Sequence, residues 1–234
     1  MRAFFLLFFM GCVVLPLAAG DLRDEFNSID KTKWVVLGRC SVGSGRGVYF
    51  GPQEEVFGIN GLQAIVPVGN PQKKIKITVE FSNLKVEKEA PREGTNEKVP
   101  SDITLNVGLW GDKNTFYQTS RPAVIMVLMY NRELNVLYGA MQAKPGGAPL
   151  NYGQNLSSIT LGPAKDVKVK EIFEITGGYS VTATFFLNGT AVWAWSGSVP
   201  DRLDDQAYLS VYQQNVLSGS GSVMLDRISV ESSE

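Results

Sequence analysis

The sequence has no histidine among its 234 residues. Imidazole is therefore missing as a general base, as the partner of a nucleophile and as a metal ligand. This absence excludes hydrolases that use Ser-His-Asp or Cys-His sites, and it excludes zinc enzymes with histidine ligands. Cysteine is also scarce, with 2 residues in the chain, so a disulfide framework does not hold this fold together.

An excess of charge of one sign is missing as well. The chain has 22 basic and 23 acidic residues and a formal net charge of -1. Nucleic-acid binding depends on clustered basic residues that displace counterions, so the sequence does not indicate that function. The proportions of 44% hydrophobic and 19% charged residues are typical of one soluble globular domain.

The longest apolar run lies at the amino terminus. After a single arginine, apolar residues extend from Ala3 to Leu17, and small residues follow up to Gly20. This is the three-part pattern of a secretory signal peptide, and the run is shorter than the ~20 residues of a membrane span. We therefore expect residues 1–20 to be removed and residues 21–234 to be secreted as a mature domain outside the membrane.

Two covalent modifications are open to the mature chain. Removal of the signal peptide leaves Cys40 as the one cysteine. A lone thiol is typical of a small buried apolar side chain, and the alternative is an intermolecular disulfide that links a homodimer. Sequons at Asn155 and Asn188 predict N-glycosylation sites if the source is a eukaryote.

Period-two alternation dominates the rest of the sequence. The clearest case runs from Ile75 to Phe81, where apolar and polar side chains alternate as in a half-buried strand. Similar alternation occurs at residues 103–110, 180–185 and 208–212, and Asn188-Gly189 signals a hairpin turn. No long stretch has helical spacing between caps. Roughly a dozen short strands predict one all-β domain, an antiparallel sandwich or barrel.

Four segments depart from simple alternation. Ala123 to Tyr130 is apolar on both faces, which predicts a central strand that is covered on both sides. The charged segment from Lys85 to Pro100 predicts a solvated loop. Gln142 to Pro163 is rich in Gly, Pro, Asn and Ser, which predicts a loop that folds over a sheet face. Leu217 to Ser222 predicts a turn between the last two strands.

Three segments resemble the concanavalin A-like lectin/glucanase superfamily. The opening segment, from Glu25 to Trp34, has the superfamily's spacing of Phe, Ile-Asp and Trp. The hairpin from Tyr179 to Trp195 resembles that of laminin-G-like and glucanase-like sandwiches, and Tyr208 to Val230 resembles their closing strand pair. The resemblance implies a jelly roll, a sandwich of two antiparallel β-sheets whose concave face binds carbohydrate in many members.

The resemblance does not extend to a catalytic motif. Glucanase-type members carry Glu-x-Asp-x-x-Glu on a central strand, with carboxylates that act as nucleophile and acid/base. Aligned with the strand from Ala123 to Tyr130, this motif places Val124, Met126 and Met129 at the three carboxylate positions. Apolar side chains can neither transfer protons nor form a glycosyl ester. The histidine of lyase members and the metal cluster of legume lectins are also unmatched, so the resemblance implies a non-catalytic protein without a metal or cofactor.

Candidate ligand-binding residues are those that bring aromatic rings and amides together on the polar face of a strand. A sugar ring stacks its C–H face on an aromatic plane, while its hydroxyls bond to amides. Two such faces, taken to form the implied concave surface, supply the candidates Asn106, Trp110, Tyr208, Tyr212 and Gln214. The alternative is that these rings cover the sheet without any ligand. The other three tryptophans are predicted core residues.

The expected function is that of a secreted, non-catalytic carbohydrate-binding or matrix protein whose partner is a polysaccharide or a glycoprotein glycan. Two alternatives stay open. One is a polysaccharide-active enzyme, hydrolase or lyase-like, with a rearranged site drawn from the carboxylates Glu54, Glu55, Glu80, Asp112 and Glu133. The other is a structural or protein-interaction domain without a glycan ligand, in which the Ala123 to Tyr130 strand and Cys40 serve assembly.

Overall fold

The structure is a computed structural model that describes residues 22–43, 46–51, 58–86, 89–91, 98–100, 102–113, 121–131, 136–144, 149–155, 167–214 and 221–233. The predicted signal peptide and the carboxylates Glu54, Glu55 and Glu133 lie outside these residues. The regular elements of the described segments are all β-strands. No helix long and apolar enough to cross a membrane is found in this part of the chain.

Seventeen strands are found in the described segments. They are β1 (Leu22–Asp24), β2 (Trp34–Leu37), β3 (Cys40–Val42), β4 (Val48–Phe50), β5 (Ile59–Ala64), β6 (Lys74–Val86), β7 (Glu89–Pro91), β8 (Lys98–Pro100), β9 (Asp102–Trp110), β10 (Ala123–Asn131), β11 (Val136–Lys144), β12 (Pro149–Asn155), β13 (Val169–Thr176), β14 (Ser180–Leu187), β15 (Thr190–Ser198), β16 (Tyr208–Gln214) and β17 (Gly221–Ser233). Each alternating segment of the sequence lies within one of them, as period-two burial requires.

Two large antiparallel sheets contain every strand except β7 and β8. The eight-stranded sheet has the order β15-β14-β13-β6-β17-β4-β3, and β1 pairs with β17 beside this path. The seven-stranded sheet has the order β12-β11-β10-β9-β16-β5-β2. The two sheets pack face to face through a shared core, which confirms the predicted all-β sandwich.

The core lies between the sheets and is built from alternate residues of their strands. The apolar residues of β6 from Ile75 to Phe81 are buried in one cluster with those of β9 from Ile103 to Leu109. Full burial of each such side chain contributes ~1.5–3 kcal/mol. Trp34 and Trp193 belong to this cluster and Trp195 packs against it, which confirms the core positions predicted for these tryptophans.

Asp24 holds the opening segment in place. Its Oδ1 accepts a hydrogen bond from the Phe26 amide at 2.9 Å, and its Oδ2 accepts one from Trp34 Nε1 at 2.9 Å. The Phe26 backbone takes a φ of +48°, which is uncommon for a non-glycine residue, and its ring centroid lies 5.9 Å from that of Trp34. The spacing of Phe26 and Trp34 in the sequence therefore reflects a buried aromatic pair joined by one carboxylate.

The predicted loops were partly wrong. Between residues 85 and 100, β6 extends to Val86, and the short strands β7 and β8 pair with each other. Between residues 142 and 163, β11 continues to Lys144, and β12 follows as the last strand of its sheet. An edge strand tolerates Pro149 and other poor strand formers because only one of its sides carries ladder hydrogen bonds.

The two-sided apolar strand is β10, and its predicted central position is confirmed. It lies between β9 and β11. Val124, Met126 and Leu128 belong to the core between the sheets. Ala123, Ile125 and Val127 are buried on the opposite side, in a second cluster. The outer face of the seven-stranded sheet is thus shielded at its centre.

Candidate functional site

All five predicted ligand residues lie on the outer face of the seven-stranded sheet, hereafter the outer face. The register of β16 against β9 places Tyr208 opposite Trp110 and Tyr212 opposite Asn106. Gln214 lies opposite Thr104, the next residue on this side of β9. Alternation within each strand predicted these shared faces, and the pairing of β16 with β9 unites them.

One part of this face, the indole end, consists of Trp110, Tyr208, Ser210 and Gly108. Trp110 is 0% exposed, and its Nε1 donates a hydrogen bond to Ser210 Oγ at 2.5 Å. Its indole lies against Gly108, where a Cβ would be 2.6 Å from Trp110 Nε1. The ring therefore has a packing role in this structure, and Tyr208 beside it is half-buried.

The other part, the amide end, consists of Thr104, Asn106, Tyr212 and Gln214. Asn106 and Tyr212 are each 4% exposed, and Gln214 is half-buried. Thr104 Oγ1 and Asn106 Nδ2 are buried, and no described residue forms a hydrogen bond with either atom. Buried polar atoms in proteins are nearly always bonded, so this pair is an unusual feature of the amide end.

A row of five residues runs along one limit of the amide end, includes its Thr104 and Gln214, and crosses five strands. The pairings run from Ile59 to Gln214, then to Thr104, Met129 and Tyr138. All except Thr104 are half-buried, so this border row is the more accessible limit of the amide end. Sequence reasoning did not select Tyr138, although alternation along β11 could have placed it on this face.

Gly61 makes room for Tyr212 within the amide end. The two residues are opposite each other on β5 and β16. A Cβ at Gly61 would lie 2.4 Å from Tyr212 Cβ and 2.5 Å from the carbonyl oxygen of Val211. Because backbone atoms form part of this contact, a larger residue at position 61 would move β16 and the amide end with it.

Comparisons with known proteins give the name of the fold. No protein-family model matches the chain, and no curated protein sequence matches it. Among solved structures, peanut lectin has a TM-score of 0.60 at 10% identity, covering 91% of this chain and 97% of that chain. The legume lectin-like domain from Entamoeba histolytica has a TM-score of 0.58 at 10% identity, covering 86% of this chain and 91% of that chain. The exoplasmic/lumenal domain of VIP36 has a TM-score of 0.59 at 8% identity, covering 92% of this chain and 89% of that chain. The fold is concanavalin A-like.

The three positions aligned with the catalytic motif lie on β10. Val124 and Met126 face the core, whereas Met129 lies on the outer face. The three aligned positions therefore do not share a face, as a spacing of i, i+2 and i+5 requires in any regular strand, and the alignment stays a prediction. A shift by one residue supplies no acid either, because residues 123–130 contain no carboxylate.

The described carboxylates of the enzyme alternative do not converge in this concanavalin A-like sandwich. Glu80 lies on β6 in the eight-stranded sheet, 3.5 Å from Lys170 Nζ and 3.9 Å from Arg227 Nη1. Asp112 follows β9 in the other sheet, 3.3 Å from Arg121 Nε. Within the described segments, no group of three or more acidic, Cys or His side chains could hold a metal ion.

Cys40 is partly buried on the edge strand β3 and packs against the core. The single S–H proton of Cys40 has two carbonyl acceptors within reach, Leu37 at 3.2 Å and Gly61 at 3.6 Å from Sγ. Burial raises the pKa of the thiol to about 12. This environment favours the small buried side chain over the disulfide-linked homodimer, because thiolate is the species that forms disulfides.

We expect the Cys40 thiol to react slowly with Ellman's reagent in the native protein at pH 8. The raised pKa leaves little thiolate, and the chain around Cys40 limits access to the sulfur. Release of thionitrobenzoate should be at least about tenfold faster in denaturant, where the thiol regains its ordinary pKa. Equal rates in the two conditions, or a disulfide-linked dimer on a non-reducing gel, would contradict this interpretation.

Asn188 lies exposed at the tip of the hairpin between β14 and β15. Asn188 and Gly189 have φ values of +47° and +84°, as a two-residue turn of type I′ requires. The predicted hairpin is confirmed. The backbone of Asn155 ends β12, and its side chain lies outside the described part. Glycosylation at either sequon stays a prediction.

Proposed function

We propose that the protein is a secreted, non-catalytic carbohydrate-binding protein and that the amide end contacts the sugar. The observation that carries this proposal is the pair of buried polar atoms on β9, Thr104 Oγ1 and Asn106 Nδ2, which no described residue bonds. Each such atom costs the folded protein ~1–3 kcal/mol. A ligand that bonds to both atoms recovers this free energy on binding.

The chemistry of the amide end favours a neutral, hydroxylated ligand. A threonine hydroxyl both donates and accepts, whereas an asparagine amide nitrogen only donates. A sugar hydroxyl can satisfy either group because it is itself a donor and an acceptor. The residues of the amide end and the border row are all uncharged, so nothing there selects an ionic ligand.

The border row supplies the apolar part of such a site. Met129 and Tyr138 lie directly opposite each other on β10 and β11, and both are half-buried. A tyrosine ring offers a flat apolar surface together with a polar tip. We place the C–H face of the sugar against these two side chains, with its hydroxyls toward Thr104, Asn106 and Gln214.

The structural neighbours agree with this class of ligand. The VIP36 domain was solved in a form bound to Ca²⁺ and Man3GlcNAc. At 8% identity this likeness concerns the fold alone. The choice of carbohydrate as ligand therefore rests on the amide end, and the fold makes an outer-face site reasonable.

The test is glycan-array binding by the mature protein, followed by titration calorimetry with the best ligand in calcium and in chelator. Thr104→Val keeps the size of the side chain and removes its hydroxyl. We expect this variant to bind about tenfold more weakly, the loss of one hydrogen bond. Its stability should be unchanged or higher, because a buried hydroxyl has been removed.

Thr184→Val is the matched control. Thr184 lies on β14 in the eight-stranded sheet, so the same change there should leave binding unaltered. If the folded protein bound no glycan on the array, carbohydrate binding would be refuted. Unchanged affinity in Thr104→Val would refute the amide end as the site while leaving a carbohydrate ligand in place.

A further inference from the structure

Five strands lie at the edges of the two described sheets, and they differ in how well they are protected against pairing with another chain. β1, β2 and β3 are only 3, 4 and 3 residues long. β12 begins with Pro149, and its register against β11 shifts twice. Short length, proline and irregular pairing are the usual devices that protect edge strands. β15, with 9 residues, is the long edge strand of the described sheets.

The sequence of β15 lacks the residue types that commonly protect an edge strand. Between Thr190 and Ser198 it contains neither a charged residue nor a proline. Five of its residues are exposed: Thr190, Ala191, Ala194, Ser196 and Ser198. The register against β14 is interrupted near Val192, and residues 193–198 then continue as a regular ladder. No described strand pairs with the other side of this ladder, which is a row of backbone donors and acceptors.

Charge is also absent from the strand beside the edge. β14, from Ser180 to Leu187, contains no charged residue. The charges of this sheet lie further inside, on strands such as β13, where Lys170, Glu171 and Glu174 occur. A second β15 could therefore approach without repulsion between like charges.

An apolar ring at the same edge remains only partly covered. Trp195 is half-buried and packs against the core, and its ring lies close to Gly197, where a Cβ would be 2.3 Å from Trp195 Cζ2. A strand added beside β15 would cover more of this ring. Burial of apolar area would then accompany the new backbone hydrogen bonds.

We propose that β15 pairs antiparallel with β15 of a second copy of this chain. A two-fold axis between identical strands makes them antiparallel and closes the assembly at two copies. The two eight-stranded sheets would continue into one another across the axis. A Cys40-linked dimer would use β3, at the opposite end of this sheet. The two assemblies are therefore distinguishable, and neither depends on carbohydrate binding.

The test is sedimentation velocity of the mature protein over a wide concentration range. We expect a reversible dimer in the wild type and in Cys40→Ser. Ala194→Lys/Ser196→Lys places two exposed charges on the edge and should raise the dissociation constant at least ~100-fold, since like charges would face each other across the axis. Thr182→Lys/Thr184→Lys adds the same charges one strand further in and should leave a dimer.

Fluorescence provides a second readout that needs no variant. Trp34, Trp110 and Trp193 are at most 6% exposed, so iodide quenching reports mainly on Trp195. Quenching should fall as the protein concentration rises through the dissociation constant. A wild type that sediments as a monomer at every concentration would overturn the proposal, as would a dimer that survives both edge lysines.

Discussion

Replacing Glu171 with methionine is expected to increase the free energy of unfolding at pH 7 by at least ~1–3 kcal/mol, the cost of a buried polar group without a partner. Glu171 lies on the core side of β13, opposite Val79 and Phe185 of the adjacent strands. It is 0% exposed, and no described residue forms a hydrogen bond with either carboxyl oxygen. Methionine has a similar length and fills the space without a polar atom.

The pH dependence of stability should reveal the same carboxyl. Burial raises the pKa of Glu171 well above its ordinary value of 4.5. Above that value the unfolded chain loses this proton while the folded chain keeps it. The stabilising contribution is therefore complete below pH 4.5 and falls as the pH rises toward the folded-state pKa, by ~1.4 kcal/mol per pH unit. In Glu171→Met, the free energy of unfolding measured with urea should not show this decline between pH 4.5 and the folded-state pKa of Glu171.

Glu174 offers a matched control on the same strand. It lies on the opposite side of β13, with Oε1 2.9 Å from Lys74 Nζ. Lys74 is exposed and Glu174 is half-buried, so water screens this pair and it contributes little. Glu174→Met should therefore change stability by no more than ~1 kcal/mol. If Glu171→Met were less stable than the wild type, the carboxyl would have a partner in the folded protein. A decline with pH that persisted in Glu171→Met would belong to another group and would contradict the role assigned to Glu171.

Trp110→Ala is expected to lower the free energy of unfolding by ~3–5 kcal/mol, as for other large aromatic residues in well-packed sites. The indole is fully buried, packs with Ala123 and Ile125, and donates to Ser210. Trp110→Phe keeps a ring and loses the donor, so it should cost ~1–3 kcal/mol. Urea unfolding followed by near-ultraviolet circular dichroism measures both changes.

These two variants also separate packing from sugar contact. Under the packing role, Trp110→Phe keeps full glycan affinity, and any loss in Trp110→Ala follows the fraction of unfolded protein. A Trp110→Ala protein that is as stable as the wild type but has lost its ligand would place the indole in the binding site. Gln214→Ala, at the accessible border row, should weaken binding without a comparable loss of stability.

The period-two alternation of apolar and polar residues predicted which side chains share a face, because successive residues of any extended strand point to opposite sides. It did not predict how deeply Trp110 is buried, since that depends on packing from elsewhere in the fold. Trp110 and Ser210 are 100 residues apart in the chain, and no local pattern links them. Glu171 was overlooked although its position between Val169 and Phe173 in the alternation already placed it on the core side.

Strand order has a consequence for the chain during its synthesis. β16 lies between β5 and β9, and β17 pairs with β1, β4 and β6. Neither sheet can complete its strand pairing until residues 208–233 have left the ribosome. Until then, β5, β6 and β9 present unpaired edges and apolar faces, the features that make nascent β-proteins aggregate. Chaperone dependence in the cell should therefore be set by these last strands rather than by the stability of the finished protein.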